Sequence, residues 1–284
     1  MEFDQVGVIG GGAMGTGIAE VVARAGCDVV LVDVSHAALD ASHDRLTTSV
    51  AKAVARKKIT GEQRDALLSR VIRTTNLDNL RPCSLVIEAV AEDESVKGEV
   101  FRRLDMVVGP NTVVATNTSA LSVTRLAAAM SAPERFLGLH FFNPAPVLRL
   151  VEVIDAQVTS RAVSDRVAAF VSDDLGGKVI RTHDRPGFVV NALLTPYLLS
   201  AIRLLEQHGA SASDIDLGMV EGCAHPIGPL HLADLVGLDT LVAASEAMYA
   251  ALREPQYCPP PLLVRMVEAG LLGVKSGRGF FEYN

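Results

Sequence analysis

Two short apolar runs each contain one polar residue that could take part in proton transfer. His140 interrupts the run that begins at Gly138, and Glu152 interrupts the run that begins at Leu150. The segment 143–146 between them predicts a bend, because proline fixes φ and disfavours helix at the residue before it. Two strands joined by a bend can bring an imidazole and a carboxylate together. A carboxylate on one ring nitrogen directs proton exchange to the other; a buried His–Glu pair with a structural role is the alternative.

A glycine-rich turn near the N-terminus separates a predicted strand from a predicted helix. Gly10, Gly12 and Gly15 fit the spacing G-x-G-x-x-G, and Asp33 ends the next predicted strand at about the expected distance. These glycines would allow a tight turn and close approach of the backbone to a pyrophosphate, beside a helix N-terminus that attracts phosphates. A carboxylate at Asp33 can bond both ribose hydroxyls and repels a 2′-phosphate. The pattern therefore predicts NAD, rather than NADP, as the cofactor.

The elements that must position these residues alternate between short apolar strands and helices. Such alternation predicts an α/β fold with an N-terminal Rossmann-type doubly wound sheet. Ligands of these sheets bind beyond the carboxyl ends of the strands. Small and polar residues occupy the predicted strand ends at Glu88–Glu92, Asn117–Ser119 and His140.

A linker-like stretch, Thr182–Gly187, ends the strand alternation. We therefore predict a NAD-binding Rossmann-type domain over residues 1–185 that carries the His–Glu pair. The C-terminal domain, residues 186–284, is predicted to be all-helical. Earlier in the chain a helical pattern runs from His36 to Lys58 and places Ser49 and Arg56 on one face, for which solvated surface is the default interpretation.

Composition excludes several classes of protein. The net charge of −7, with no long Lys/Arg cluster, argues against a nucleic-acid partner. The four cysteines are far apart and show no metal-ligand spacing, so no metal is predicted. The most apolar segment, Phe188–Leu205, is interrupted by polar residues and falls short of a membrane span. The chain starts directly on a strand, from which we expect a cytoplasmic protein.

The combination of motifs resembles the short-chain L-3-hydroxyacyl-CoA dehydrogenase family, including the bacterial 3-hydroxybutyryl-CoA dehydrogenases. The resemblance covers the whole chain. Beyond the glycine turn it is carried by Gly138–Pro144 joined to Val151–Ile154, Asn117–Ser119, Pro186–Asn191, His225–Pro229, Asp234–Asp239 and Lys275–Phe281.

The resemblance implies an NAD-dependent enzyme that interconverts 3-hydroxyacyl-CoA, such as 3-hydroxybutyryl-CoA, and 3-ketoacyl-CoA. It also implies a homodimer built through the helical domain. His140 would be the general base or acid and Glu152 its orienting partner, with Ser119 and Asn191 at the reacting oxygen. The implied cofactor contacts are Gly10, Gly11, Gly12, Ala13, Met14, Gly15, Asp33, Glu92, Lys97, Ser119, Asn143 and Lys275. Those implied for coenzyme A are Ser49, Arg56 and Ser119.

Two departures from the family pattern leave the substrate carrier open. Ala192 stands where the family usually has arginine, and Ala120 where it usually has a second serine. The alternative is a dehydrogenase for a hydroxyacyl group on an acyl carrier protein. A non-catalytic NAD-binding protein would have no use for the His–Glu pair. Dehydrogenases of free 3-hydroxy acids need a catalytic lysine, and Lys275 is the only lysine in the predicted helical domain.

Overall fold

Eight strands form a single sheet in the N-terminal part of the chain. The computed structural model describes residues 1–283 and divides the chain into two units, Met1–Arg185 and Pro186 onward. The strand order is β3-β2-β1-β4-β5-β6-β7-β8, which reverses direction between β1 and β4 as in doubly wound folds. The strands are β1 Gln5–Ile9, β2 Asp28–Val32, β3 Val71–Thr74, β4 Leu85–Glu88, β5 Val113–Thr116, β6 Phe136–Phe141, β7 Leu150–Asp155 and β8 Lys178–His183.

Only one strand pairing in this sheet, between β6 and β7, is antiparallel. The other pairings are parallel. The connection at 142–149 is shorter than the dozen or so residues that a parallel crossover needs. The chain must therefore turn back on itself, which sets the register between the two runs that hold the polar residues.

Helices cover the sheet and its edges. They are α1 Ala13–Arg24, α2 His36–Ala55, α3 Gly61–Ser69, α4 Glu94–Asp105, α5 Val123–Ala127 and α6 Arg161–Ala169, with 3₁₀ turns at Leu77–Leu80 and Pro133–Arg135 and a π-type turn at Phe170–Asp174. The helix predicted to reach Lys58 ends at Ala55 instead. Lys57 takes a left-handed conformation (φ 56°), which ends the helix before Thr60 caps α3.

The central strands are buried on both faces. All residues of β4 and β5 are buried, and β1 and β2 are buried beyond their first residue. Runs of valine, isoleucine and leucine without polar alternation suit strands that are covered on both sides. Each such side chain contributes about 1.5–3 kcal/mol on burial, so the scaffold under the strand ends is firmly held.

The second unit is helical, with α7 Val190–Glu206, α8 Ala212–Cys223, α9 Pro229–Val236, α10 Leu238–Leu252, α11 Pro261–Glu268 and 3₁₀ turns at Pro255–Tyr257 and Val274–Ser276. Its core includes Leu198, Leu230 and Leu263. Buried Asp234 fastens the last part of the described chain, because its carboxylate accepts hydrogen bonds from the backbone N–H groups of Phe280 and Phe281.

No single helix within residues 1–283 has the length and apolar composition needed to cross a membrane. The pair α9 and α10 meets that criterion together, but the two helices are bent by 93°.

Candidate active site

His140 and Glu152 lie opposite each other on β6 and β7. The strand register pairs the two residues directly, and Nδ1 of His140 lies 2.8 Å from Oε2 of Glu152. His140 is 6% exposed and Glu152 is fully buried. A carboxylate at this depth is stable only with hydrogen-bond partners. The contact expected from the sequence is therefore present in the fold.

The pair has the geometry of a general acid–base. A carboxylate on Nδ1 fixes the imidazole tautomer and directs proton exchange to Nε2. Phe142 packs beside the imidazole, with ring centroids 4.5 Å apart. This contact restricts the orientation of the His140 ring as the carboxylate does.

We expect Glu152→Gln to keep the fold and to lower kcat by about 10-fold to 10²-fold, because an amide cannot stabilise an imidazolium as a carboxylate does. The pH profile of kcat should change as well, which a purely structural loss would not produce. Asp216→Asn is the matched control, since Asp216 lies 2.6 Å from Nδ1 of His231 in the helical unit. A pH profile identical to that of the wild type would remove Glu152 from the mechanism.

The glycine turn after β1 has the conformation that a dinucleotide requires. Gly10 has φ 103°, which L side chains rarely adopt, and a Cβ there would lie 2.5 Å from the carbonyl oxygen of Ala89. A Cβ on Gly15 would lie 1.8 Å from the carbonyl oxygen of Gly10. Gly12 has open space around it, so a ligand can reach its backbone. Helix α1 begins at Ala13 and points its free N–H groups toward this space.

Asp33 lies at the end of β2 beside this turn. Its Oδ2 accepts a hydrogen bond of 2.6 Å from the N–H of Gly11, and its Oδ1 accepts one of 2.6 Å from Val34. Asp33 and Gly12 both line a cleft of about 530 Å³ at the point where the strand order reverses. A carboxylate, an open glycine backbone and a helix N-terminus in one cleft fit the ribose and pyrophosphate of NAD.

A charge network that is buried at Lys97 and Glu88 lies at the ends of β4 and β5. Nζ of Lys97, which is 1% exposed, lies 2.6 Å from Oε1 of Glu88 and 3.4 Å from Oε2 of Glu92. Glu88 also accepts a hydrogen bond of 2.7 Å from the Thr116 hydroxyl. The lysine predicted to contact the cofactor is thus fixed between two carboxylates, one of them fully buried.

Glu92 holds the loop that carries Ser119. Its Oε1 accepts hydrogen bonds from the Thr118 hydroxyl (2.6 Å) and from the backbone N–H groups of Ser119 (2.8 Å) and Ala120 (3.1 Å). Desolvation raises the pKa of Glu92, but the Lys97 charge and these hydrogen bonds together lower it by a larger amount. The pKa of Glu92 therefore lies below its ordinary value. The carboxylate is therefore ionised at neutral pH and keeps the loop in place.

Other predicted site residues lie at several places in the first unit. Oδ1 of Asn117 accepts a hydrogen bond of 2.8 Å from the N–H of Phe141 and so ties the Ser119 loop to β6. Asn143 is exposed in the loop after β6. Ser49 is half-buried on α2, whereas Arg56 is exposed just beyond the end of that helix. The two residues are seven positions apart, about 10 Å along a helix.

Two predicted site residues belong to the helical unit. Asn191 is half-buried in the first turn of α7. Lys275 forms an ion pair with Asp239 at the start of α10. Burial raises the pKa of Asp239, but hydrogen bonds from Lys275 and the backbone lower it more, so the pKa lies below its ordinary value.

Sequence reasoning did not assign Thr116 or Arg45 to the site. Thr116 ends a buried strand as a polar residue, a signal that could have identified it. Nη2 of Arg45 donates a hydrogen bond of 2.6 Å to the carbonyl oxygen of Gly11 in the glycine turn. No local pattern links an arginine in α2 to a turn 34 positions earlier.

The fold and the site define a dinucleotide-binding α/β protein with a histidine–glutamate pair. Residues 5–185 match the 3-hydroxyacyl-CoA dehydrogenase NAD binding domain, and residues 187–283 match the 3-hydroxyacyl-CoA dehydrogenase C-terminal domain. The chain therefore belongs to the 3-hydroxyacyl-CoA dehydrogenase family.

Individual relatives are similar over their full length. The chain is 52% identical over 282 residues to a 3-hydroxybutyryl-CoA dehydrogenase of Mycobacterium tuberculosis, covering 99% of each sequence. The crystal structure of M. tuberculosis FadB2 is similar with a TM-score of 0.98, 52% identity and 99% coverage of both chains. The crystal structure of (S)-3-hydroxybutyryl-CoA dehydrogenase PaaH1 from Ralstonia eutropha is similar with a TM-score of 0.95, 41% identity and 99% coverage of both chains.

Proposed function

We propose that the protein is an NAD-dependent 3-hydroxyacyl-CoA dehydrogenase acting on short chains such as 3-hydroxybutyryl-CoA. The observation that carries the proposal is the pairing of His140 with Glu152 inside a unit whose glycine turn fits NAD. A binding protein would need only the turn and the cleft. The identity of 52% to a 3-hydroxybutyryl-CoA dehydrogenase supports the short acyl chain.

The protein residues manage the proton in this reaction. Bound NAD supplies the redox chemistry by accepting or returning a hydride. His140 removes the proton of the 3-hydroxyl group in the oxidising direction and returns it to the 3-ketone oxygen in the reducing direction. Glu152 stabilises the imidazolium that forms. Ser119 and, by the family resemblance, Asn191 hydrogen-bond the reacting oxygen as its charge changes.

A cluster of exposed cations bears on the substrate carrier. Lys52, Arg56, Lys57 and Lys58 are all exposed at the end of α2, and within residues 1–283 none of them forms an ion pair. Such a cluster attracts phosphate groups. The 3′-phosphate and pyrophosphate of coenzyme A fit this requirement, and Ser49 lies two turns earlier on α2. An acidic acyl carrier protein would meet the same cations and is the second candidate.

Assays with the acetoacetyl group on each of the two carriers distinguish these alternatives. NADH oxidation should be faster with acetoacetyl-CoA than with acetoacetyl carrier protein, by at least about 10-fold in kcat/KM, which corresponds to about 1.4 kcal/mol. A faster reaction on the carrier protein would replace the coenzyme A assignment. Failure to oxidise NADH with any 3-ketoacyl thioester would overturn the proposed function.

Arg56→Gln tests the phosphate contact within the same assay. KM for acetoacetyl-CoA should rise by about 2-fold to 5-fold, the range for one exposed charge contact. KM for acetoacetyl-N-acetylcysteamine, which has no phosphate, should stay unchanged. Arg102→Gln on α4, where Arg102 pairs with Glu99 at the surface, is the control for loss of one positive charge.

The helical unit supplies the basis for a homodimer in this proposal. Several large apolar side chains are exposed on its helices, and covering them would remove apolar surface from water. We propose that a second copy of the chain covers them. The exposed residues are Leu193, Leu204, Leu217, Leu235 and Val236.

A cytoplasmic location stays a prediction from the sequence.

A further inference from the structure

We infer that Arg45 is a second determinant of cofactor choice, which acts in opposition to Asp33 at the adenosine ribose. The inference rests on the proposed function, because it concerns the NAD site of the same enzyme. It assigns a cation to a place where the sequence around Asp33 supplies none, since the next residues are Val34, Ser35 and His36.

Arg45 reaches the glycine turn from α2. Its Nη2 donates a hydrogen bond of 2.6 Å to the carbonyl oxygen of Gly11, which also accepts a bond of 3.1 Å from the Thr16 hydroxyl. Gly11 lies between Gly10 and Gly12, and both of these glycines line the proposed cofactor cleft. A guanidinium has five N–H donors. One bond to Gly11 therefore leaves further donors for a ligand.

Asp33 is hydrogen-bonded to the backbone N–H of the same residue, Gly11. The N–H of Gly11 donates to its Oδ2 at 2.6 Å, whereas the carbonyl of Gly11 receives Arg45. One peptide residue thus joins a carboxylate that lines the cleft to a guanidinium that approaches the turn from α2. Within residues 1–283 no carboxylate forms an ion pair with Arg45, so its charge is not neutralised.

The two charges have opposite effects on a 2′-phosphate. Asp33 repels a phosphate dianion and offers hydrogen bonds to free ribose hydroxyls, so it excludes NADPH in the wild type. Arg45 attracts phosphate and can bind it through two parallel N–H bonds. The exclusion of NADPH therefore depends on Asp33 alone. Without that carboxylate the site already contains the cation that NADPH needs.

Direct binding measurements on the full chain test this inference without any turnover. The chain has no tryptophan, so the fluorescence of NADH and NADPH reports their binding without an indole background. Asp33→Ser should tighten NADPH binding by at least about 10-fold, equivalent to about 1.4 kcal/mol. Adding Arg45→Gln should weaken NADPH binding again by about 10-fold. The NADH dissociation constant should differ between these two variants by less than about 3-fold.

Two control variants are made in the Asp33→Ser background. Arg70→Gln removes the same charge at the opposite end of β2, where Arg70 pairs with Asp28, and should leave NADPH affinity unchanged. Arg45→Lys keeps a cation without the planar pair of donors and should retain part of the NADPH affinity. Weaker NADH binding by Arg45→Gln would reveal that this substitution disrupts the glycine turn. The NADPH affinity of Arg45→Lys then tests the inference in its place.

Three results would overturn the inference. The first is equal NADPH affinity of Asp33→Ser with and without Arg45→Gln. The second is loss of NADPH binding with Arg103→Gln and not with Arg45→Gln, since Arg103 lines the cleft from α4 whereas Arg45 approaches the turn from α2. The third applies if Arg45→Gln also weakens NADH binding. In that case the inference fails if Arg45→Lys binds NADPH no more tightly than Arg45→Gln does. If the wild type binds no NADH, the proposed function fails instead, so the two failures are distinguishable.

Discussion

Replacing His140 with glutamine should lower turnover with acetoacetyl-CoA and NADH by about 10² to 10⁴-fold, the usual range for loss of a general acid–base. Glutamine keeps much of the imidazole volume and can still hydrogen-bond Glu152, but it cannot exchange a proton at neutral pH. The NADH dissociation constant should stay within about 3-fold of the wild type, because the glycine turn and Asp33 are untouched. Steady-state kinetics and NADH fluorescence measure the two effects separately.

His231→Gln is the matched control for this variant. His231 also places Nδ1 against a carboxylate, at 2.6 Å from Oδ2 of Asp216, and its ring stacks on Phe281. The same chemical change at this second pair should leave turnover nearly unchanged. Turnover of His140→Gln within a few-fold of the wild type would mean that another residue transfers the proton.

Lys97→Met should destabilise the protein by about 3–5 kcal/mol, the cost of breaking a buried ion pair by removing one partner. Lys97 is 1% exposed and lies 2.6 Å from Glu88, which is fully buried. Methionine fills most of the space, so the loss reports charge rather than volume. Without the ammonium group, Glu88 and Glu92 are left as two carboxylates with no cation between them. Urea unfolding followed by circular dichroism gives the free energy of unfolding.

Two further variants identify charge as the cause. Glu88→Gln combined with Lys97→Met should lose less stability than the sum of the two single changes, because the pair is removed together. Arg102→Met, which breaks the exposed pair with Glu99 on the same helix, should cost less than about 1 kcal/mol. A Lys97→Met loss as small as that of Arg102→Met would show that water reaches the carboxylate of Glu88.

The glycine turn and the His140–Glu152 pair could be predicted because their signals are local. Gly10 adopts a positive φ, Gly15 lies against the carbonyl oxygen of Gly10, and Gly12 leaves open space for a ligand, and these three requirements are visible as spacing. His140 and Glu152 stand out because each is a polar residue within an apolar run. The short connection between those runs then permits only an antiparallel pair, which sets one residue opposite the other.

The helix limits were less predictable for a reason in the backbone. The apolar and charged pattern of α2 continues to Lys58, yet the helix ends at Ala55. Lys57 adopts φ 56° so that the chain can enter the next helix, capped by Thr60. Periodicity records which face of a helix is buried, but the last turn depends on where the following element starts.

The sequence by itself determined the α/β architecture, the glycine turn with Asp33, and the His140–Glu152 pair, because periodicity, glycine spacing and polar residues in apolar strands act over short stretches of chain. Only the tertiary structure decided which partner each charged side chain meets. Lys97 joins Glu88 and Glu92 where neighbouring strands end, and Arg45 reaches Gly11 across 34 positions. These contacts depend on how the parallel strands and helices pack against each other. A charged residue in a helical sequence pattern does not show locally which partner it will meet.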